Sequence, residues 1–194
     1  MKIRLDKIAE VISGYPFRGR VPEVNNGKAH VVQMKDVSGD NTVDWGGLIK
    51  TDLTGRRKPD WLKSEDILFL SRGNNNFAVF LDHVPVPTVN SPLFFLIRVK
   101  ADAGLIPEFL AWQLNQITAQ QYFKISSEGS LHRSIKKSVL DLFNVVIPEV
   151  ETQKRIVNLN RLVTQETKLY LDLIENRKQT LKTIALNVLN DSGN

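Results

Sequence analysis

The chain has 194 residues, of which 42% are hydrophobic and 24% are charged, with no cysteine and a formal net charge of +5. This composition predicts a globular protein with room for one sizeable domain and an appendage, and it excludes disulfides and thiolate metal sites. No run approaches the roughly 20 apolar residues of a membrane span, and the charged start predicts no signal peptide. These features suit the reducing cytoplasm, where we expect the protein to act. The basic charge is compatible with a polyanionic partner but does not establish one.

Short elements of mixed type are predicted for residues 1 to about 148. Residues 5–10 are typical of a single helical turn. Four runs are rich in β-branched and aromatic residues and are bounded by Gly, Pro, Asn or Asp, which predicts strands. These runs are residues 29–34, 67–71, 77–81 and 93–99. The last run is apolar at successive positions, which indicates a strand buried on both faces.

A helix is predicted after Pro107, because proline and the acidic Glu108 both suit the unpaired N–H groups of a first helical turn. Its predicted apolar face consists of Phe109, Leu110, Trp112, Leu114 and Ile117. Further along the chain, the predicted elements are a helix at 119–125, a loop at 126–130, a helical turn at 138–142 and a strand at 144–147.

The stretch from about residue 150 to 190 contains no glycine or proline, which predicts one helix about 60 Å long. Apolar side chains recur along it at near-heptad spacing, interrupted by Glu166, Arg177 and Thr180. The predicted dimerisation seam is Ile156, Leu159, Val163, Tyr170, Leu173, Ile174, Leu181, Ile184 and Val188. The helix either packs along its own domain or pairs with a second chain. We favour pairing, because the preceding domain is too small to cover the whole length.

Together these elements predict a mixed α+β fold in which short twisted strands and small helices form a globular domain. That domain is expected to span residues 1–148. A long helix that forms a coiled coil is expected over 149–190, and a disordered tail over 191–194.

Five stretches of the chain, in this order, resemble the specificity subunits of type I restriction-modification enzymes. The stretches are IAEVISGYPFR (8–18), VQMKDV (32–37), LKSEDILFLSRG (62–73), IPEFLAWQLN (106–115) and IPEVETQKRI (147–156). The chain departs from the family pattern at Ser64 and Glu65, where a glycine usually precedes the residue that corresponds to Asp66. A single acidic residue, Glu151, precedes Thr152 in the last stretch.

The resemblance implies a half-length specificity subunit with one target recognition domain and one spacer helix. Two copies would then replace the two halves of a full subunit, with their helices paired antiparallel. Such a homodimer would read a bipartite, symmetric site on double-stranded DNA. Catalysis would belong to methyltransferase and restriction subunits that dock on the dimer, so neither catalytic residues nor cofactors are expected in this chain.

Cationic and amide side chains on predicted loops are the candidates for DNA contact, because cations bind phosphates while Arg and Asn read base edges. Arg18 and Arg20 flank a glycine, and residues 56–58 form a triple-basic run. Arg72 precedes the asparagines at 74–76. For each group a solvated loop or ordinary turn chemistry is the alternative explanation.

A further loop, at residues 130–137, lies near the DNA-facing side according to the family resemblance. The full set of candidates is Arg18, Arg20, Arg56, Arg57, Lys58, Arg72, Asn74, Asn75, Asn76, His132, Arg133, Lys136 and Lys137.

Motifs of catalysis are missing from the sequence, which has no Gly-x-Gly-x-x-Gly and no phosphate-binding loop. The three histidines, His30, His83 and His132, show no spacing typical of zinc ligands, so no metal site is predicted. An alternative function is a coiled-coil adaptor that bridges proteins without binding DNA. A salt-sensitive shift of duplex DNA would distinguish the two functions.

Overall fold

The computed structural model describes residues 1–55, 57–73, 76–127 and 134–191. Its strands are β1 (Lys2–Arg4), β2 (Ala9–Ser13), β3 (Ala29–Val32), β4 (Ile49–Thr51), β5 (Ile67–Leu70), β6 (Ala78–Phe80), β7 (Thr88–Asn90), β8 (Phe94–Val99) and β9 (Asn144–Val146). Its helices are α1 (Leu5–Ile8), α2 (Pro107–Leu114), α3 (Ile117–Ser126), α4 (Lys137–Asp141) and α5 (Val150–Asp191). A 3₁₀ turn covers Met34–Asp36.

The predicted mixed α+β fold with a long C-terminal helix is confirmed. The helical turn predicted for residues 5–10 ends at Ile8, because the residues from Ala9 onward pair with β8 instead. Strands β1, β2, β4 and β7 have no counterpart among the predicted strands. Strands β1, β4 and β7 have three residues each, which is too few for an alternating pattern to be recognised.

The helix predicted to open at Pro107 ends at Leu114, and the second helix, predicted for 119–125, already begins at Ile117. The backbone of Gln116 is extended (φ −76°, ψ 155°), which separates α2 from α3. Ile117 therefore starts a new helix and is 72% exposed. The prediction that Ile117 belongs to the apolar face of the first helix is wrong, because the break removes it from the helical periodicity.

Three sheets organise the first part of the chain. One has the strand order β2–β8–β5–β6 and is antiparallel throughout. The second has the order β4–β3–β7, in which β3 runs antiparallel to β4 and parallel to β7. The third pairs β1 with β9, which joins the N-terminus to the strand that precedes α5.

The sheet formed by β4, β3 and β7 is covered on both faces, as the neighbouring residues Val31 and Val32 show. Both are fully buried, and successive side chains of a strand point to opposite faces. Val32 packs in a cluster with side chains of β5 and β8, such as Leu68 and Leu96. Val31 packs in a separate cluster that includes Tyr15. The segment that follows β2 therefore supplies part of the cover of this sheet.

Strand β5 is also buried on both faces, which explains its uninterrupted apolar sequence. Leu68 and Leu70 belong to the cluster shared with the second sheet. Phe69 points to the other side, where its ring centroid lies 4.9 Å from that of Phe123 on α3. The four-stranded sheet thus lies between the second sheet and a helical layer.

The chain divides into two compact units, Met1–Arg155 and Ile156–Asn194. Helix α5 begins in the first unit and supplies the described part of the second. Across the described ranges, none of the helices combines the length and the apolar character that crossing a bilayer requires.

Candidate nucleic-acid interface

The segment 90–93, from the last residue of β7 to the residue before β8, anchors two of the loops predicted to contact DNA, and we call it the β7–β8 link. The Tyr15 N–H donates a hydrogen bond to the Asn90 carbonyl at 2.9 Å. On the other side, the N–H and Oγ of Ser71 both donate to the Leu93 carbonyl, at 2.9 and 2.8 Å. The loop after β2 and the loop after β5 therefore start from the same link.

The loop after β2 presents two arginines between buried anchors. Tyr15 and Val21 are buried in the cluster beside β3. Arg18, Gly19 and Arg20 lie exposed between them, and Gly19 has a φ of +77°, a left-handed conformation that glycine adopts without strain. The loop is thus fixed at both ends and cationic at its tip, as a phosphate-binding loop requires.

Tyr15 also connects this loop to the segment that carries the triple-basic run. Its hydroxyl accepts a hydrogen bond from the Gly55 N–H at 2.7 Å. A Cβ on Gly55 would lie 2.6 Å from that hydroxyl oxygen, so only glycine permits the approach. Farther along the chain from Gly55, Lys58 is exposed, and Arg57 forms an ion pair with Asp60 at 2.6 Å. We call Arg18, Arg20, Arg57 and Lys58 the Tyr15 basic group.

The loop after β5 is joined to the segment that leads into α4. Arg72 forms an antiparallel bridge with Ser134. The Ile135 N–H donates to the Ser71 carbonyl at 2.8 Å. Arg72 is exposed, and the bridge brings its backbone beside the stretch that continues into Lys136. The structure thus unites two segments that are more than 60 residues apart in the sequence.

Asn76 makes a contact that closes the turn between β5 and β6. Its amide donates a hydrogen bond to the Leu70 carbonyl at 2.9 Å. This contact occupies one N–H group of the amide, which is then not available to a base. Base reading by Asn76 stays a prediction. The remaining candidates Arg56, Asn74, Asn75, His132 and Arg133 lie outside the described residues.

Helix α4 presents Lys136 and Lys137 at its start, and both are exposed. The Lys137 ammonium pairs with the Asp141 carboxylate at 2.8 Å. The Tyr122 hydroxyl on α3 donates to the Val139 carbonyl at 2.9 Å. Burial raises the pKa of Tyr122, which extends to higher pH the range over which the phenol can donate this hydrogen bond. We call Arg72, Lys136 and Lys137 the α4 basic group.

Asp66, in the third family-like stretch, is a buried structural acid. Arg98 holds it in a bidentate pair, from Nε to Oδ1 at 2.8 Å and from a terminal nitrogen to Oδ2 at 2.7 Å. The Lys63 N–H also donates to this carboxylate. The hydrogen bonds to Asp66 are the main cause that raises the pKa of Arg98. The aspartate of this motif therefore stabilises the fold and is not free to bind DNA or a metal.

Glu65 occupies the position at which the family usually has glycine, and its backbone explains that preference. Its φ is +70°, and this left-handed conformation costs a non-glycine residue about 1–2 kcal/mol. The Glu65 N–H donates to the Leu81 carbonyl at 2.7 Å, which fixes the conformation. The departure from the family pattern is therefore a source of local strain.

We expect Glu65→Gly to raise the free energy of unfolding by about 0.5–1 kcal/mol, because relief of strain exceeds the added entropy of the unfolded chain. Urea unfolding followed by circular dichroism measures the change. Glu65→Ala is the matched control, since it removes the same side chain but keeps the strained φ. Equal stability of the two variants would contradict this explanation.

The predicted dimerisation seam on α5 is largely exposed in the single chain. Leu159, Leu173 and Ile184 are 63%, 47% and 53% exposed, whereas Ile156 is half-buried. The other exposed members are Val163, Tyr170, Ile174, Leu181 and Val188. The sequence analysis did not include Leu162 and Leu169, which are 62% and 69% exposed. Their spacing of three and four residues from seam positions could have identified them.

Metal chemistry finds no support in the described part of the chain, where no three His, Cys, Asp or Glu side chains form a group that could hold an ion. The arginines and lysines of the two basic groups are instead all exposed. Cationic loops on a rigid scaffold are suited to binding a polyanion.

Comparison with solved structures shows which proteins the fold is similar to, although no curated protein matches the chain. The fold is similar to the HsdS subunit from Thermoanaerobacter tengcongensis, with a TM-score of 0.60, 15% identity, and coverage of 87% of this chain and 38% of that one. It is also similar to the type I restriction-modification S subunit from M. genitalium, with a TM-score of 0.59, 17% identity, and coverage of 92% and 42%.

A third solved structure comes from work on complex assembly and conformational transition of the type I R-M system. It has a TM-score of 0.60 and 16% identity, and the match covers 87% of this chain and 39% of that one. The chain thus spans about two fifths of each of these proteins. The family model for the type I restriction modification DNA specificity domain matches residues 1–183. With nearly the whole length matched, the chain belongs to the family of type I restriction modification DNA specificity domains.

Proposed function

We propose that this chain is the sequence-specific DNA-recognition subunit of a type I restriction-modification system. In this proposal it is non-catalytic and acts as a homodimer that reads a bipartite, symmetric site. The dimer docks methyltransferase and restriction subunits, which carry out the chemistry. The observation that carries the proposal is the anchoring of two loops with exposed arginines on the β7–β8 link, in a domain of a DNA specificity family.

The two basic groups have different roles in this proposal. The Tyr15 basic group binds phosphates and fixes the register of the domain on the duplex, because its cations are exposed on tethered segments. The α4 basic group combines phosphate contacts with base reading by Arg72, whose guanidinium can pair with guanine in the major groove. The asparagines at 74–76, together with Arg56, His132 and Arg133, complete the proposed surface.

The exposed apolar stripe of α5 supports two copies. The exposed apolar side chains of α5 would be covered in a dimer, because a long apolar stripe on a helix is normally buried against another element. Such a dimer would also offer symmetric surfaces to partner subunits.

We expect Arg18→Ala combined with Arg20→Ala to weaken binding of duplex DNA roughly tenfold at low salt, because two phosphate contacts are lost. The plot of log affinity against log salt should become shallower by about one for each contact removed. Fluorescence anisotropy of a labelled duplex at several salt concentrations measures both quantities. Since phosphates carry no sequence information, the preferred site should stay unchanged.

The matched control is Lys7→Ala combined with Lys124→Ala, which removes the same charge from exposed positions outside both basic groups. This control should leave the salt slope unchanged. An equal loss of affinity in both double variants would contradict a specific role for the loop, because it would reflect net charge alone. Selection of bound sites from a random duplex pool tests the wider proposal, since a coiled-coil adaptor would enrich no sequence.

A further inference from the structure

Two charged residues interrupt the apolar stripe of α5 at core heptad positions. With Ile156 at position a, the a positions are Ile156, Val163, Tyr170, Arg177 and Ile184. The d positions are then Leu159, Glu166, Leu173, Thr180 and Asn187. Glu166 and Arg177 are both exposed in the single chain. In a coiled coil each would face the partner helix, where an unpaired charge strongly destabilises the interface.

We propose that α5 pairs antiparallel with α5 of a second copy, and that Glu166 of each chain forms an ion pair with the partner's Arg177. The proposal rests on the homodimer of the proposed function and assigns its register. The two-fold axis falls between Leu171 and Asp172. The stagger of the two helices then has a single value.

This register also matches the apolar positions around the ion pair. In an antiparallel coiled coil an a residue faces a d residue of the partner. Tyr170 faces the partner's Leu173 next to the axis, and Leu159 faces the partner's Ile184 farther out. Each contact occurs twice because the dimer is symmetric. One arrangement therefore pairs both charges and the largest apolar residues at the same time.

Other arrangements leave the charges opposed or unpaired. A parallel, in-register coiled coil would place Glu166 against the partner's Glu166, and Arg177 against the partner's Arg177, which repel. An antiparallel pair shifted by one heptad would bury Glu166 against the partner's Tyr170 or Ile184. Arg177 would then face an apolar leucine. The charge pattern of the helix thus selects one register, as polar core residues do in other coiled coils.

Charge reversal tests the ion pair in the full chain. Either Glu166→Arg or Arg177→Glu should raise the dimer dissociation constant at least about tenfold, because each creates two like-charge contacts. The variant with both substitutions should return to near the original value, since it restores both pairs with opposite polarity. Sedimentation equilibrium measures these constants. Single variants as tightly dimeric as the parent chain would overturn the ion pair.

Cross-linking tests the register independently, and the absence of cysteine from the sequence makes each engineered thiol unique. Leu159→Cys and Ile184→Cys are prepared as separate proteins, mixed and oxidised. We expect a disulfide-linked dimer from the mixture and little from either protein alone, because like positions in this register lie roughly 37 Å apart along the helix, far beyond the reach of a disulfide.

The outcomes separate this inference from the proposed function. A dimer by sedimentation that gives no cross-link in the mixture would overturn the register and leave the homodimer intact. A cross-link in Leu159→Cys alone would indicate parallel helices, which would also overturn the register and leave the homodimer intact. A chain that stays monomeric at every concentration would overturn the homodimer and the register together.

Discussion

Gly14→Ala is expected to lower the free energy of unfolding by about 3 kcal/mol or more, which lies at the upper end of overpacking effects. A Cβ at this position would lie 2.2 Å from the Ser91 carbonyl oxygen and 2.7 Å from the Ser91 carbonyl carbon. These atoms belong to the backbone of the β7–β8 link, so no side-chain rotation relieves the clash. The link would have to move away from β2.

That movement is opposed by the hydrogen bonds of the link itself. The Ser91 N–H donates to the Val32 carbonyl at 2.9 Å, and the Asn90 carbonyl accepts from Tyr15. Because these bonds hold β3 and the loop of the Tyr15 basic group, the substitution should also reduce the population that binds DNA. Loss of Gly14 therefore affects the fold and the proposed interface through the same atoms.

Denaturant unfolding measures the effect of Gly14→Ala, and Gly39→Ala is its matched control. A Cβ on Gly39 would meet no heavy atom within 4 Å, so its replacement should change stability little. Anisotropy with duplex DNA then reports the folded fraction that retains binding. Similar unfolding midpoints for the two variants would show that the link accommodates a methyl group, contrary to this prediction.

The features that the sequence predicted correctly are those with strong local signals. The apolar runs of β5 and β8 identify buried strands, and the lack of glycine and proline between Pro148 and Gly193 identifies the long helix. Two of the stretches that carry the family resemblance, 62–73 and 147–156, include β5 and the start of the long helix. Each signal lies within a window of a few residues, which is the range over which periodicity and turn chemistry act.

Features that depend on distant partners could not be predicted in this way. The Asn115 side chain bonds both the N–H and the carbonyl of Ala78, at 2.8 Å each, and so acts as a neighbouring strand for β6. Gln113 forms the same type of two-bond contact with Val146 on β9. An amide side chain has no local pattern that indicates such a role, since the role exists only after the partner strand is in place.

The candidate interface shows the same limit. The sequence indicates cationic loops because charge and glycine are visible in it. It does not indicate that the link at residues 90–93 anchors two of these loops, because that anchoring uses backbone carbonyls. It also does not reveal that Arg72 lies beside Ser134, since only the fold brings the two together.

Gln153→Ala is expected to lower the free energy of unfolding by about 3–5 kcal/mol, because it leaves several buried polar groups without partners. Gln153 is fully buried near the start of α5. Its Oε1 accepts from the Ile106 N–H at 2.8 Å, and its Nε2 donates to the carbonyls of Gly104 and Pro148 at 2.9 Å each. One side chain thus connects the first turn of α5 to the segment that precedes α2.

Chemical denaturation measures this loss of unfolding free energy. Thr152→Ala is the control, because Thr152 is exposed and lies in the same helical turn as Gln153. Gln153→Glu gives a sharper test of the hydrogen-bond arrangement. The carboxylate would retain the bond from Ile106 but would face two carbonyl oxygens, which favours its protonated form in the folded state.

The folded Gln153→Glu variant would therefore bind more protons than the unfolded chain, so its stability should rise relative to the parent chain as the pH falls. The added proton restores a donor toward one of the two carbonyls. Gln153→Ala has no group to protonate, so its loss of unfolding free energy relative to the parent chain should not change with pH. If the difference in unfolding free energy between Gln153→Glu and the parent chain does not change with pH, the Nε2 side of Gln153 does not face these carbonyls in solution.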